Sequence, residues 1–260
     1  MSQSFEKRAV AKSFGDAATQ YDEFARIQHR LADELLAMCP QQPLGSVLDL
    51  GCGTGYCLPK LADRYPQAKI VGADLSQGML DHAQQHFPAF DYVLADAEDL
   101  PFEANQFDLV FSNLAVQWCD DIANVLSEAQ RVLKPGGWFV FTNLADGTLQ
   151  ELKQAWASVD DYQHVNEFPV AQQLAQKNEQ SDFDVVSFVC EPRIQFYQTL
   201  RALTDSLKRV GAHNMTQGRS KTLTPRADLK RFAQAMEACR EEQGLPARYQ
   251  VAFSALRKPL

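Results

Sequence analysis

The 260-residue sequence lacks both a C-x-x-C pair and any long apolar run. Its six cysteines are scattered, so their spacing predicts neither a disulfide framework nor a zinc site and fits a reducing compartment. No stretch approaches the roughly 18 apolar residues that cross a membrane, and charges interrupt the first residues, unlike the apolar core of a signal peptide. We therefore expect a cytoplasmic protein that binds no metal and does not contact a membrane.

Basic residues are also scarce: 25 Lys and Arg stand against 33 Asp and Glu, for a net charge of −8. Such an acidic chain is a poor candidate for binding nucleic acid, whose phosphates require a basic face. The charge is uneven, because residues 193–260 contain 13 basic and 5 acidic side chains whereas residues 1–192 contain 12 basic and 28 acidic ones. The last quarter thus presents a basic surface on an acidic protein, which predicts a binding partner for it.

Short apolar runs alternate with amphipathic segments through the middle of the chain. This alternation is typical of a parallel sheet covered by helices on both faces, with right-handed crossovers. The runs predict strands at 47–50, 69–73, 92–95, 107–111 and 138–142, and helices at about 56–64, 76–86 (with Ser76 as cap) and 121–132.

The flanking regions are less regular and contain no internal repeat or linker. We expect one domain over residues 1–260, with an N-terminal helical segment (1–45), a central core (46–145) and later additions (146–260). The patterns predict helices within 1–38 and at 148–162, 198–210 and 226–242, strands at 185–197 and 249–253, and only polar sequence at 172–177.

Three glycines follow the first predicted strand at intervals of two. Gly51, Gly53 and Gly55 permit positive φ and let a ligand approach the backbone. A dinucleotide fingerprint would require its third glycine one position later, where Tyr56 stands, and the preceding Asp49 suits a cationic ligand better than a pyrophosphate. An ordinary strand-to-helix turn is the alternative interpretation.

Further polar residues follow the next three strands. Asp74 ends the second strand, where a carboxylate can accept hydrogen bonds from both ribose hydroxyls, although it could instead be a loop or cap aspartate. Asp96 and Ala97 follow the third strand, where an acid can accept from an adenine amine, and Asn113 follows the fourth. Ligands of open parallel sheets bind at these carboxyl ends, so position and chemistry agree.

With these residues and the Lys134-Pro135-Gly136-Gly137 turn, residues 46–143 resemble the class I S-adenosylmethionine-dependent methyltransferases. The resemblance implies an α/β, Rossmann-like fold with a seven-stranded, mostly parallel sheet, helices on both faces and an antiparallel final strand. It implies that S-adenosylmethionine is bound without a metal. The expected cofactor contacts are Gly51, Gly53 and Gly55 at the methionine part, Asp49 just before this loop, Asp74 at the ribose, Asp96 and Ala97 at the adenine, Asn113 at the methionine and methyl-donor side, and Leu75 beside Asp74.

The flanks resemble one branch more closely. Residues 12–22 (KSFGDAATQYD), 113–118 (NLAVQW) and 207–214 (LKRVGAHN) are similar to segments of the malonyl-acyl carrier protein O-methyltransferases of biotin synthesis. This resemblance implies methyl transfer from S-adenosylmethionine to the free carboxylate of malonyl-acyl carrier protein, which starts pimeloyl synthesis. It also implies that the N-terminal helical segment is a lid and that Tyr21 is a catalytic residue, although Tyr21 could simply pack in the core.

The basic last quarter then predicts where an acidic acyl carrier protein would bind. The expected carrier-binding residues are Lys208, Arg209, Arg219, Arg226 and Lys230, with Arg226 and Lys230 on one helix face. A solvated helix face is the alternative. Two other functions remain open: a methyltransferase for a small molecule such as a quinone precursor or a free organic acid, and a cofactor-binding protein without catalytic activity.

Overall fold

The computed structural model describes residues 7–211 and 225–260. None of the helices in these residues is both long and apolar enough to span a membrane. The elements in chain order are α1 (Lys7–Phe24), α2 (Arg26–Met38), β1 (Ser46–Leu50), α3 (Leu58–Arg64), β2 (Lys69–Asp74), α4 (Gln77–His86), β3 (Asp91–Leu94), β4 (Phe107–Ser112), a 3-10 turn (Val116–Trp118), α5 (Ile122–Val132), β5 (Leu133–Ala145), α6 (Gln150–Ala157), α7 (Ala171–Glu179), β6 (Asp184–Tyr197), α8 (Leu200–Arg209), α9 (Arg226–Ala238) and β7 (Leu245–Arg257).

The seven strands form one sheet in the order β3-β2-β1-β4-β5-β7-β6. β1 pairs in parallel with both β2 and β4, so the strand order reverses between β1 and β4. β7 runs antiparallel to β5 and β6, as expected for the final strand. The seven-stranded, mostly parallel α/β fold is therefore confirmed, and its ligand-binding crevice is expected at the carboxyl ends of β1 and β4.

Alternating side chains place a core on each face of the sheet. Val47 of β1 packs in the core beneath α2, α3, α6 and α9, whereas Leu48 and Leu50 pack in the core beneath α5. Since side chains alternate along a strand, the buried Asp49 lies on the same face as Val47. α5 begins where the Asp121 carboxylate accepts a hydrogen bond from the Ala123 amide.

Helix α1 lies across the first turn of α4 at a contact between two glycines. A Cβ atom on Gly78 would be 2.8 Å from the Gly15 Cα, and one on Gly15 would be 2.9 Å from Ser76 Oγ. The approach of the Gly15 backbone requires glycine at position 78, whereas a Cβ atom at position 15 would displace the Ser76 hydroxyl. Ser76 occupies the N-cap position of α4, as predicted, but its hydroxyl forms no capping hydrogen bond and faces α1 instead.

The structure corrects three boundaries in the later part of the chain. The helix predicted at 148–162 ends at Ala157, and the polar sequence at 172–177 belongs to α7, for which no helix was predicted. α7 forms because Leu174 packs on Ala145 and Ala252 of the sheet. The last strand is longer than predicted because β7 pairs with β6 from Leu245 to Arg257 and with β5 from Gln250 to Arg257.

Candidate functional site

The glycine loop after β1 curls over the end of β2. The amides of Gly51 and Cys52 both donate to the carbonyl of Ala73, at 2.7 and 3.0 Å. Gly51 and Gly53 have φ of +75° and +55°, which other residues rarely adopt. A Cβ atom on Gly51 would lie 2.2 Å from the Ala115 Cβ, whereas one on Gly53 would meet nothing within 4 Å. Gly51 is therefore required for packing, and Gly53 leaves open space for a ligand.

Asp74 joins the loops that follow β1 and β2. Its carboxylate accepts hydrogen bonds from the Gly53 amide at 2.9 Å and from the Ser76 amide at 2.8 Å. Burial raises the pKa of Asp74, while these backbone donors oppose the rise. The carboxylate thus holds the glycine loop against the end of β2, beside open space.

A first cavity of about 760 Å³, part of it open to solvent, lies at these strand ends. Of the expected cofactor contacts, its walls include Gly51, Gly53, Asp74, Leu75, Asp96, Ala97 and Asn113, and α1 covers it with Lys7, Val10, Ala11, Phe14 and Tyr21.

Two expected contacts, Asp49 and Gly55, do not line this cavity. Gly55 packs the loop onto α4, because a Cβ atom there would be 3.0 Å from the Phe87 ring. Asp49 is only 2 % exposed, and its Oδ2 accepts no hydrogen bond from the described residues. Burial, and then the nearby Asp74 carboxylate, raise the pKa of Asp49 to about 8.

This raised pKa makes the stability of the protein depend on pH. The folded protein keeps the Asp49 proton up to about pH 8, while the unfolded chain releases it near the ordinary value of 3.8. The contribution of Asp49 to the free energy of unfolding is therefore complete below about pH 4 and is lost as pH rises to about 8. We expect Asp49→Asn to gain stability over the parent protein by about 1.4 kcal/mol per pH unit across this window.

Urea unfolding without ligand at pH 5, 6, 7 and 8 measures this difference. Asp91→Asn is the control, since the Asp91 side chain is exposed on β3, two strands away from β1 in the sheet. A difference between Asp49→Asn and the parent that stays constant across the pH range would show that Asp49 is ionised in the folded protein.

Lys7 covers the first cavity and pairs with Glu98, and the sequence indicated neither as a site residue. Lys7 Nζ lies 2.5 Å from Asp96 Oδ2 and 2.7 Å from Glu98 Oε2. Burial works to lower the pKa of Lys7, but its hydrogen bonds to the two carboxylates outweigh burial and raise it. Glu98 also accepts from the amides of Asp120 and Asp121, so it ties α1 to the start of α5.

A second tie connects the other end of α1 to the glycine loop. The Thr54 hydroxyl donates to Asp22 Oδ1 at 2.8 Å, and His29 lies 3.0 Å from the same oxygen. Burial works to raise the pKa of Asp22, but the hydrogen bonds from His29 and Thr54 lower it. α1 is therefore held over the cavity at both ends, a placement suited to a lid.

Asn113 is held by β5 and α2. Its Oδ1 accepts from the Thr142 hydroxyl at 2.9 Å, and its Nδ2 donates to the Gln28 carbonyl at 3.1 Å. The Leu114 amide donates to the same Thr142 hydroxyl at 2.8 Å. Because its amide is fixed on both sides, the side chain has a single orientation at the cavity wall.

A second, wider cleft of about 2170 Å³, also open to solvent, adjoins the first cavity. The side chains of Phe14, Tyr21, Leu114 and Trp118 line both. Phe14 and Trp118 meet edge to face, with ring centroids 5.3 Å apart. Burial, and then Asp22 and Asp74, raise the pKa of Tyr21, so its hydroxyl remains protonated where the two spaces meet.

The expected carrier-binding residues divide into three groups. Lys208 lines the wide cleft, and Arg226 and Lys230 are exposed on α9, whose Leu229 lines the same cleft. Arg209 instead donates to Gln20 Oε1 at 2.5 Å and lies over the Phe24 ring, so it is occupied in holding α1. Arg219 lies outside the described residues.

No group of three or more His, Cys, Asp or Glu side chains in residues 7–211 and 225–260 could hold a metal ion. His82 and His86, which have the spacing of a zinc pair, stack on each other on α4 with centroids 4.1 Å apart. The side chains that line the two cavities offer carboxylates, carboxamides and aromatic rings to a ligand.

Residues 48–141 match the family model described as a methyltransferase domain. The chain is 43 % identical over 256 residues to the biotin biosynthesis bifunctional protein BioHC of Cellvibrio japonicus, which covers 98 % of this chain but only 51 % of that protein. The chain thus spans about half the length of the first such relatives. It is 38 % identical to the malonyl-[acyl-carrier protein] O-methyltransferase of Hahella chejuensis, covering 95 % of this chain and 88 % of that one.

Solved structures agree on the fold. A putative methyltransferase from Bacillus halodurans superposes with a TM-score of 0.63 at 19 % identity, covering 88 % of this chain and 99 % of that one. A Haemonchus contortus phosphoethanolamine N-methyltransferase in complex with S-adenosylhomocysteine gives 0.55 at 23 % identity, covering 88 % and 53 %. With the identity and coverage shared with the Hahella protein, these findings show that the chain belongs to the malonyl-acyl carrier protein O-methyltransferase family.

Proposed function

We propose that this protein transfers a methyl group from S-adenosylmethionine to the free carboxylate of a malonyl group carried by acyl carrier protein, at the start of pimeloyl synthesis for biotin. The observation that supports this most is the arrangement of two spaces, a small cavity at the strand ends and a wide cleft, which meet at Tyr21 and Trp118. One space suits a methyl donor and the other a substrate on a long arm.

The first cavity has the chemistry that S-adenosylmethionine requires, which supplies a methyl group activated on a cationic sulfur. The Asp74 and Asp96 carboxylates offer acceptors for hydroxyl and amine donors, and Gly53 leaves room beside the backbone. Leu75 and Ala97 provide apolar walls between the polar groups.

The acceptor needs little chemical activation. A malonyl carboxylate is ionised near neutral pH, so a general base is not required. The protein has to align the carboxylate with the methyl group, and alignment alone can lower a barrier by roughly 7 to 11 kcal/mol. Opposite charges are neutralised during the transfer, so the apolar wall of Phe14, Leu114 and Trp118 favours it by excluding water.

Tyr21 is placed to orient the carboxylate through a protonated hydroxyl. We expect Tyr21→Phe to lower kcat about 10-fold or more, because a hydrogen bond to a charged group is lost, while the dissociation constant for S-adenosylmethionine changes little. Calorimetry and initial rates on malonyl carrier protein separate the two effects. Tyr162→Phe, an exposed tyrosine of the wide cleft, is the control. An unchanged kcat would mean that Tyr21 only packs in the core.

The mouth of the wide cleft is suited to an acidic carrier. Lys208, Arg226 and Lys230 lie on the two helices that line it, α8 and α9. A basic surface here would steer the carrier and set the direction in which its arm enters. Part of the basic last quarter of the chain therefore lies beside the wide cleft.

Reversing two of these charges tests the carrier surface. We expect Arg226→Glu with Lys230→Glu to lower kcat/KM for malonyl carrier protein about 10-fold or more, with little effect on the malonyl thioester of N-acetylcysteamine, which has no carrier. The loss should shrink as salt increases, because exposed charges are screened within about 8 Å. Lys69→Glu with Arg257→Glu is the charge-matched control, since both residues are exposed and lie away from the carboxyl ends of the parallel strands: Lys69 pairs with Ser46 at the start of β1, and Arg257 pairs with Trp138 of β5. Equal losses on both substrates would place the carrier elsewhere.

The function itself is tested with methyl-labelled S-adenosylmethionine and three acceptors: malonyl carrier protein, malonyl coenzyme A and free malonate. We expect label on the malonyl thioesters, released as methanol by mild base because the product is a methyl ester. Label only on small acids, or cofactor binding without any turnover, would contradict the proposal. Neither result is compatible with a carrier-borne substrate.

A further inference from the structure

Three carboxamide side chains that line the wide cleft each have a buried oxygen without a donor. Gln28 Oε1, Gln117 Oε1 and Asn166 Oδ1 accept no hydrogen bond from the described residues, and Asn166 is 8 % exposed. A buried acceptor left unsatisfied costs about 1 to 3 kcal/mol. Such atoms are expected to gain donors when a ligand fills the cleft.

The orientation of Gln117 identifies its oxygen as the free end. Gln117 Nε2 donates to the carbonyl of Leu114 at 2.7 Å, an arrangement that a reversed amide would turn into a contact between two oxygens. Gln117 therefore offers an acceptor. Asn166 lies in the connection between α6 and α7, a different part of the same lining. Gln28 borders the first cavity, because its carbonyl accepts from Asn113.

Lys208 lines the cleft, and the two carboxylates among the described residues of its lining are both paired. Asp160 is paired with His164 at 2.8 Å, and Asp228 with Arg231 at 2.6 Å. Trp156 stacks between His164 and Phe232, with centroids 3.8 and 4.1 Å away. A ligand with N–H donors along a flexible, uncharged chain satisfies these features together.

We propose that Gln117 and Asn166 accept hydrogen bonds from the amide N–H groups of the carrier's pantetheine arm and thereby select substrates that carry this arm. The inference rests on the proposed function and adds the residues that distinguish an arm-borne malonyl group from other malonyl thioesters. A pantetheine arm is uncharged between its phosphate and its thiol, and its amides supply the donors that the cleft lacks.

The test compares malonyl-pantetheine with an analogue in which ester oxygens replace the amide N–H groups, so that shape is kept and only the donors are lost. The parent protein should prefer the amide substrate by about 10-fold or more in kcat/KM, as loss of a hydrogen bond to a buried acceptor implies. Gln117→Met and Asn166→Leu should each reduce this preference by lowering kcat/KM for the amide substrate alone. Thr204→Val is the control, because Thr204 lines the cleft but its hydroxyl donates to the Arg201 carbonyl, and it should keep the parent preference.

Thermal unfolding of each variant confirms that it is folded. A loss of the amide preference in either folded variant is sufficient to support the role of that residue. A parent protein that methylates both thioesters equally, or variants that keep the parent preference, would overturn this inference and leave the proposed function intact. A parent protein that methylates neither thioester nor malonyl carrier protein would overturn the proposed function and this inference with it.

Discussion

Asp74→Ala is expected to weaken the binding of S-adenosylmethionine by about 2 to 4 kcal/mol, or roughly 30- to 900-fold, while the protein remains folded. The carboxylate is proposed to accept hydrogen bonds from the ribose hydroxyls, and charge-assisted bonds of this kind are stronger than neutral ones. It also accepts from the amides of Gly53 and Ser76, so its removal loosens the glycine loop at the same time. Both losses act in the same direction on affinity.

Calorimetry with S-adenosylmethionine and with S-adenosylhomocysteine measures the effect, and circular dichroism confirms folding. Asp91→Ala is the matched control, because Asp91 begins the neighbouring strand β3 and pairs with Lys69 at the surface, where the two side chains are 62 % and 71 % exposed. An Asp74→Ala protein that is folded and binds with the parent affinity would remove Asp74 from the cofactor site.

Gly51→Ala is expected to lower the free energy of unfolding by about 2 to 5 kcal/mol. At φ of +75° an L-residue is strained, and the added Cβ would lie 2.2 Å from that of Ala115, so the turn after β4 would have to move. Because that turn also carries the wall shared by the two spaces, we expect affinity and turnover to fall together.

Gly53→Ala is the matched comparison on the same loop. Its φ is +55°, but the added Cβ meets nothing within 4 Å, so only the backbone strain of about 1 to 2 kcal/mol is expected. Since Gly53 lines the first cavity, its variant should stay folded and bind S-adenosylmethionine less tightly. Equal losses of stability in the two variants in urea unfolding would show that the contact with Ala115 does not limit the loop.

Much of the fold followed from local patterns. The apolar runs around Val47, Ile70 and Leu109 predicted β1, β2 and β4 because each strand is buried on both faces and therefore reads as a continuous run. In contrast, α7 escaped prediction, since its sequence is polar apart from Leu174, and a single buried leucine leaves no periodic signal.

The candidate site also contains some residues that could be predicted from the sequence and others that could not. That Gly51, Asp74 and Asn113 line one cavity could be predicted, because parallel strands bring their carboxyl ends to one edge of the sheet. The expectation that Gly55 also lines it was not met, since Gly55 contacts Phe87 of the region after α4 rather than the cavity. A glycine's spacing indicates a turn but not which element packs against it.

What the sequence by itself determined is therefore the order of the strands and of the helices other than α7, the glycine loop and the family, all of which depend on residues close together along the chain. Only the tertiary structure decided the pairing of Lys7 with Asp96, the burial that raises the pKa of Asp49 to about 8, and the unsatisfied oxygen of Gln117 in the wide cleft. The physical reason is that ion pairs, desolvation and unpaired acceptors depend on which distant segments meet, and no local pattern in the chain records those meetings.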